Sequence, residues 1–199
     1  MSSARHPRRP RGEMRRRILD LASDWLLARG YHGFSFAQLA EALEVGSSAI
    51  HYHFPGKADL AAALYRDYRR GLAAWWAPVS AGSLTAAERI ERYLDWEAAH
   101  LDEQCVGPLS VAAVEYASLP ADACAEAEGL RDDLLEWLAA TLEAGREAGS
   151  VTFLGRARDQ ARVVMAAAQG GLELARLHGR GDFAAVRRGL MAQLAPGST

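Results

Sequence analysis

Ser47, Ser48, His51 and Tyr52 fall close together in the chain, and each can donate or accept a hydrogen bond. They belong to the stretch SFAQLAEALEVGSSAIHYHFPGKADL, residues 35–60, whose pattern explains how they are presented. Ser35-Phe36-Ala37-Gln38 is a capping box: the Ser35 hydroxyl accepts the N–H of Gln38 and the Gln38 side chain accepts the N–H of Ser35, so a helix starts at Ser35. Leu39, Ala40 and Leu43 keep one apolar face; Glu44-Val45-Gly46 interrupts it; Ser47 to His53 then offers a second, very short helix with Ile50 and Phe54 as its buried contacts. Two short helices joined by a tight turn suit duplex DNA, because the first can cross the phosphate backbone while the second enters the major groove.

The run Ala49-Ile50-His51-Tyr52-His53-Phe54-Pro55-Gly56-Lys57-Ala58-Asp59-Leu60 resembles the end of the DNA-binding domain of tetracycline-repressor-like (TetR family) regulators, and the motif extends over roughly residues 12–62. The resemblance implies a ligand-responsive repressor that holds a double-stranded operator as a homodimer through its last two helices. It also implies DNA contacts from Ser35, Ser47, Ser48, Ala49, His51, Tyr52, His53 and Lys57. Lys57 is the only lysine in the chain, which fits a compact ammonium aimed at a phosphate from a helix N-terminus. Three positions depart from the family pattern: Glu44 stands where the turn commonly has Gly, Gly46 where a Ser or Thr cap is usual, and His51 where Tyr is usual.

The net charge of −2 hides an asymmetry. Residues 1–70 carry 12 Lys and Arg against 7 Asp and Glu, whereas residues 71–199 carry 11 against 18, so the basic end is the one with the helix-turn-helix. Arg5, Arg8, Arg9 and Arg11 sit in a Pro-containing arm, residues 1–11, that can lie along phosphates or place arginines in a minor groove. A solvated tail is the plainer alternative.

At 199 residues and 50% hydrophobic, the chain can bury a sizeable core. It has no apolar run near the ~20 residues of a membrane span and no signal-peptide pattern, and Cys105 and Cys124 are too few for a disulfide framework, so a cytoplasmic protein is expected. Helical spacing dominates: about nine helices and an all-α fold, divided into an arm (1–11), a helix-turn-helix domain (12–56) and a larger ligand-binding and dimerisation domain (57–199). The fourth helix is expected to stop near Trp76, before Pro78, and the last two to run from about Arg156 to His178 and from Asp182 to Leu194.

In the larger domain, Ala161, Val164, Ala168, Gly171, Leu172 and Ala175 form a face of small residues that, with Phe183, Val186, Leu190 and Leu194, reads either as a dimer bundle or as core within one chain. Trp75, Tyr93, Trp96, Tyr116 and Trp137, with His100 and Cys105 near them, are candidates to line a cavity for an apolar or aromatic effector; aromatics at helical spacing are also ordinary core. A different reading uses Glu97, His100 and Cys105 as a metal or thiol sensor, or as part of a helical small-molecule enzyme. One Glu-x-x-His unit does not make a di-iron site, and His51 and His53 point to different helix faces. There is no phosphate loop, nucleophile elbow or zinc spacing, so neither catalysis nor a cofactor or metal is expected.

Overall fold

The computed structural model describes residues 11–102 and 105–196. In chain order the elements are α1 (Arg11–Arg29), a 3-10 turn (Tyr31–Gly33), α2 (Phe36–Ala42), α3 (Ser47–His53), α4 (Lys57–Ala81), α5 (Ala86–Asp102), α6 (Pro108–Glu115), α7 (Ala121–Glu147), α8 (Ala157–His178) and α9 (Arg180–Leu194). Among the described residues there is no strand. Arg5, Arg8 and Arg9 lie outside the described residues; Arg11 opens α1.

α1, α2 and α3 close over a small core of Ile18, Leu26, Phe34, Leu39, Ile50 and Phe54. Ile50 is fully buried, and burying such a side chain contributes about 1.5–3 kcal/mol, which matters for a helix too short to persist alone. α4 joins this head to the body. Arg16 of α1 reaches Asp67 at 3.1 Å and Ser23 bonds Tyr68 at 2.9 Å. Farther along, Arg69 crosses over Gly129 of α7 to bond Asp133 at 2.8 Å and Glu126 at 3.1 Å. A Cβ at Gly129 would meet the Arg69 guanidinium at 2.6 Å, so the glycine opens the path of this clamp.

α4 continues through Pro78 to Ala81, five residues past the expected stop at Trp76. A proline inside a helix removes one hydrogen bond and crowds the carbonyl four residues before it, at a cost of about 3 kcal/mol, so the continuation needs support. The last turn is held from outside, because Trp76 stacks on Trp137 at 5.9 Å and the Trp137 indole donates to Ser80 Oγ at 2.8 Å. Thr85 and Glu88 form a second capping box at the start of α5, with Thr85 N–H donating to Glu88 at 2.7 Å. α9 begins at Arg180, so only Gly179, at φ 104°, breaks it from α8.

The small-residue face of α8 is core within the chain. Ala161, Val164 and Ala168 are fully buried, Gly171 lies against Phe183 and Val186 of α9, and Leu172 and Ala175 are buried as well. The close approach that small residues permit is therefore used between α8 and its own neighbours, α7 and α9. The exposed large apolar side chains of α8 are Val163, Leu174 and Leu177.

Candidate nucleic-acid interface and effector site

The capping box at Ser35 forms: Ser35 N–H donates to Gln38 Oε1 at 2.8 Å and Gln38 N–H to Ser35 Oγ at 3.3 Å. The cap therefore occupies Ser35 in fixing the start of α2. Glu44 takes the left-handed conformation that the turn requires, φ 55°, at a cost of about 1 kcal/mol or more for a side chain with a Cβ. Gly46 caps α3 with an extended backbone and no side-chain hydrogen bond, which leaves the first N–H groups of α3 without a side-chain acceptor from that position.

Because Ile50 and Phe54 point inward, helical periodicity brings Ser47, Ser48, His51 and Tyr52 out together, and all four are exposed, Tyr52 to 62%. Ala49 and His53 are half-buried at the margins of this face. His51 is steadied at one ring nitrogen, Nδ1 standing 3.1 Å from the Pro55 carbonyl, and its ring meets Phe36 edge-on at 5.1 Å.

Lys57 sits at the first position of α4, half-buried. Its ammonium donates to the Phe34 carbonyl and lies 4.6 Å from the Tyr31 ring centre and 4.3 Å from that of Phe34. Burial lowers its pKa, and the carboxylate of Glu115 acts in the opposite direction. Glu115, at the end of α6, also accepts the Tyr31 N–H at 2.6 Å. This is the joint between body and head, and nothing local in the sequence marks Glu115 as its centre, since its partner is 84 residues away.

Five of the seven effector candidates come together. Trp75 contacts Trp96 and Trp137, each at 5.6 Å; Tyr93 stacks on Trp96 at 6.5 Å; His100 meets Trp96 edge-on at 5.7 Å. Cys105 is buried beside this group, with its thiol 3.7 Å from the backbone carbonyl of His100. Tyr116 stands apart, 48% exposed and donating to Glu128. The unusual residue of this region, absent from the effector candidates, is Glu97, 5% exposed in the interior. His100 Nδ1–H donates to the Glu97 backbone carbonyl at 3.0 Å and stands 3.8 Å from its carboxylate. Burial pushes the Glu97 carboxyl above the ordinary range, with His100 and Tyr93 pulling the other way. No group of three metal-ligating side chains occurs among the described residues.

Two spaces adjoin this region. A cleft of about 720 Å³ opens between α6, α7 and α8, with Tyr116, Arg131, Arg158, Leu109 and Gln169 in its walls. A chamber of about 20 Å³, room for about one water, lies deeper and is lined by Glu97, Trp96, Ser110, Leu109 and Gln169. Leu109 and Gln169 border both.

An all-α body carrying a head with a polar, outward-facing second helix defines a DNA-binding regulator of the helix-turn-helix class. The family model for bacterial regulatory proteins of the tetR family matches residues 18–64. A TetR-family transcriptional regulator from Agrobacterium tumefaciens has the same fold, with a TM-score of 0.87 at 27% identity over 94% of this chain and 100% of that one. A TetR regulator from Legionella pneumophila matches with a TM-score of 0.80 at 27% identity, over 89% of this chain and 95% of that one. A TetR regulator from Chloroflexus aurantiacus, at 21% identity and a TM-score of 0.79 over 94% and 98%, shares the fold. No curated protein matched the sequence. Residues 18–64 are thus a TetR-family DNA-binding domain, on a chain with the architecture of TetR-family transcriptional regulators.

Proposed function

We propose that the protein is a homodimeric, non-catalytic cytoplasmic repressor that leaves its operator when a small, largely apolar effector binds in the body. The observation that carries this reading is the exposed face of Ser47, Ser48, His51 and Tyr52 on a head that matches the family's DNA-binding domain. In this reading residues 12–56 are the reading head and residues 57–199 the effector and dimer domain. Ser47, Ser48, His51 and Tyr52 read base edges, while Ser35, Ala49, His53, Lys57 and the arginines of the arm position the backbone.

The dimer surface is assigned to the outer stripe of α8 rather than to its small-residue face. Val163, Ala167, Gly170, Leu174 and Leu177 recur at alternating steps of four and three residues, the spacing of a helix seam, and Leu177 is 76% exposed. A two-fold protein also matches the symmetry of a palindromic operator. Effector binding then works by differential affinity: it favours a body conformation whose α6 pulls on the Glu115–Tyr31 joint and moves the two heads off successive major grooves.

A gel shift with DNA from immediately upstream of the protein's own coding sequence tests this reading. A discrete complex is expected, losing about 10³–10⁵ in affinity between 50 and 200 mM salt if 6–10 phosphates are neutralised. Absence of a complex at low salt, with folded dimer present, overturns it.

A further inference from the structure

Glu97 is a costly residue to place where it is. An interior carboxyl is tolerated when it is paired or fully hydrogen-bonded, and otherwise holds its proton. No lysine or arginine nitrogen lies within ion-pair distance of Glu97 among the described residues. The single cationisable neighbour, His100, stands off at 3.8 Å and has committed its Nδ1–H to a backbone carbonyl. A second polar group shares the place: the Tyr93 hydroxyl is fully buried, makes no hydrogen bond of ordinary geometry, and has the Glu97 carboxyl as its nearest polar neighbour. A buried acid and a buried hydroxyl therefore share one neighbourhood, with the acid in the wall of a chamber.

The chamber has an approach. Leu109 of α6 and Gln169 of α8 border both it and the 720 Å³ cleft, so displacement of these two side chains would join the spaces. The arginines of the cleft already have acidic partners: Arg131 has Asp132 at 2.7 Å, Arg162 has Asp159 at 2.8 Å, and Arg158 has Glu136. They do not set up a field that would turn a positive ligand away from the inner acid.

We propose that the effector is an organic cation, an apolar or aromatic body bearing an amine or ammonium head, and that Glu97 holds this head beside the Trp96 ring at the inner end of the cleft. The carboxylate supplies the opposite charge, the Trp96 face supplies a cation–π surface in the same wall, and the body fills the apolar part of the cleft along Leu109 and Leu135. Glu97 then ionises as the ligand enters, because a partner charge favours the carboxylate that burial alone disfavours. The inference rests on the effector-responsive reading above, but its test does not require DNA.

The experiment titrates the full-length protein, by tryptophan fluorescence, with three matched pairs: benzylamine and benzyl alcohol, 4-phenylbutylamine and 4-phenylbutanol, octylamine and octanol. The wild type should bind the amine at least tenfold more tightly than the alcohol in one pair or more, and Glu97→Gln should abolish that preference without weakening the alcohol. Equal or weaker binding of the amine in every pair, or an amine preference that survives in Glu97→Gln, overturns the proposal. The wild-type comparison stands even if the variant is unstable. Tyr93→Phe, which deletes the buried hydroxyl beside Glu97 and keeps the ring, should retain the amine preference; its loss there would move the cation site away from Glu97. A gel shift on the same preparation separates the two claims: DNA binding without amine preference removes only the effector assignment, and amine preference without DNA binding removes only the regulatory reading.

Discussion

Replacing Glu115 with alanine should loosen the reading head from the body by an amount that the joint itself determines. The carboxylate accepts the Tyr31 N–H at 2.6 Å, and a hydrogen bond to a charged group contributes about 1.5–3 kcal/mol. Both residues are half-buried, so screening places the loss near the lower end, about 1–2 kcal/mol, or a fall in melting temperature of roughly 2–8 °C for a chain of this size. Gly30 supplies the internal control. Its φ of 77° and ψ of 174° form a combination open essentially to glycine alone, and a Cβ there would stand 2.7 Å from Glu115 Oε1. Gly30→Ala should therefore cost about 1–3 kcal/mol in backbone strain plus the contact with Glu115. The double variant should recover the contact part and keep the strain. Thermal melts of the four proteins should show a combined loss smaller than the sum by at least 0.5 kcal/mol. Additivity within about 0.3 kcal/mol, or a Glu115→Ala protein that melts with the wild type, would refute the joint.

Ser48→Ala and Tyr52→Ala should each change base preference at one operator position by about 1–3 kcal/mol, measured by competition among single-base operator variants; a uniform loss across sequences would make them backbone contacts instead. Leu174→Arg should convert the dimer to monomer in analytical ultracentrifugation while far-ultraviolet dichroism is unchanged, and an intact dimer would remove the outer stripe of α8 from the interface. Burial raises the Glu97 pKa, so the folded protein keeps a proton that the unfolded chain releases, and stability falls as pH climbs from the ordinary glutamate range through the raised value. Glu97→Gln should therefore melt with the wild type near pH 4 and above it near pH 8; a lower melting temperature near pH 8 would mean that the charged form is well paired, by His100 or Tyr93.

Local patterns were the legible part of this chain. The capping box at Ser35 and the inward Ile50 and Phe54 need only near neighbours, and all form as expected. The stop expected at Pro78 fails because Trp137, distant in sequence, holds the turn containing Ser80. Small residues on α8 announce a close helix approach but do not say whose helix arrives; Phe183 and Val186 of the same chain fill that place. The aromatic cluster of Trp75, Tyr93, Trp96 and Trp137 was visible as composition, whereas the burial of Glu97 beside them, with His100 as its one cationisable neighbour among the described residues, depends on which side chains the fold brings near. Glu115 left no trace in the sequence, because a glutamate ending one helix does not reveal a backbone N–H to be met 84 residues away.

Selection of bound DNA from random oligonucleotides tests the central claim most directly. If a dimer presents two copies of α3 to successive major grooves, the enriched sequences should be palindromic, with half-site centres separated by one helical turn, about 10–10.5 base pairs, or a multiple of it. The same selection with Ser48→Ala should relax one position symmetrically in both half-sites. Pools that show no enrichment over the input, from protein that is folded and dimeric, would contradict the account.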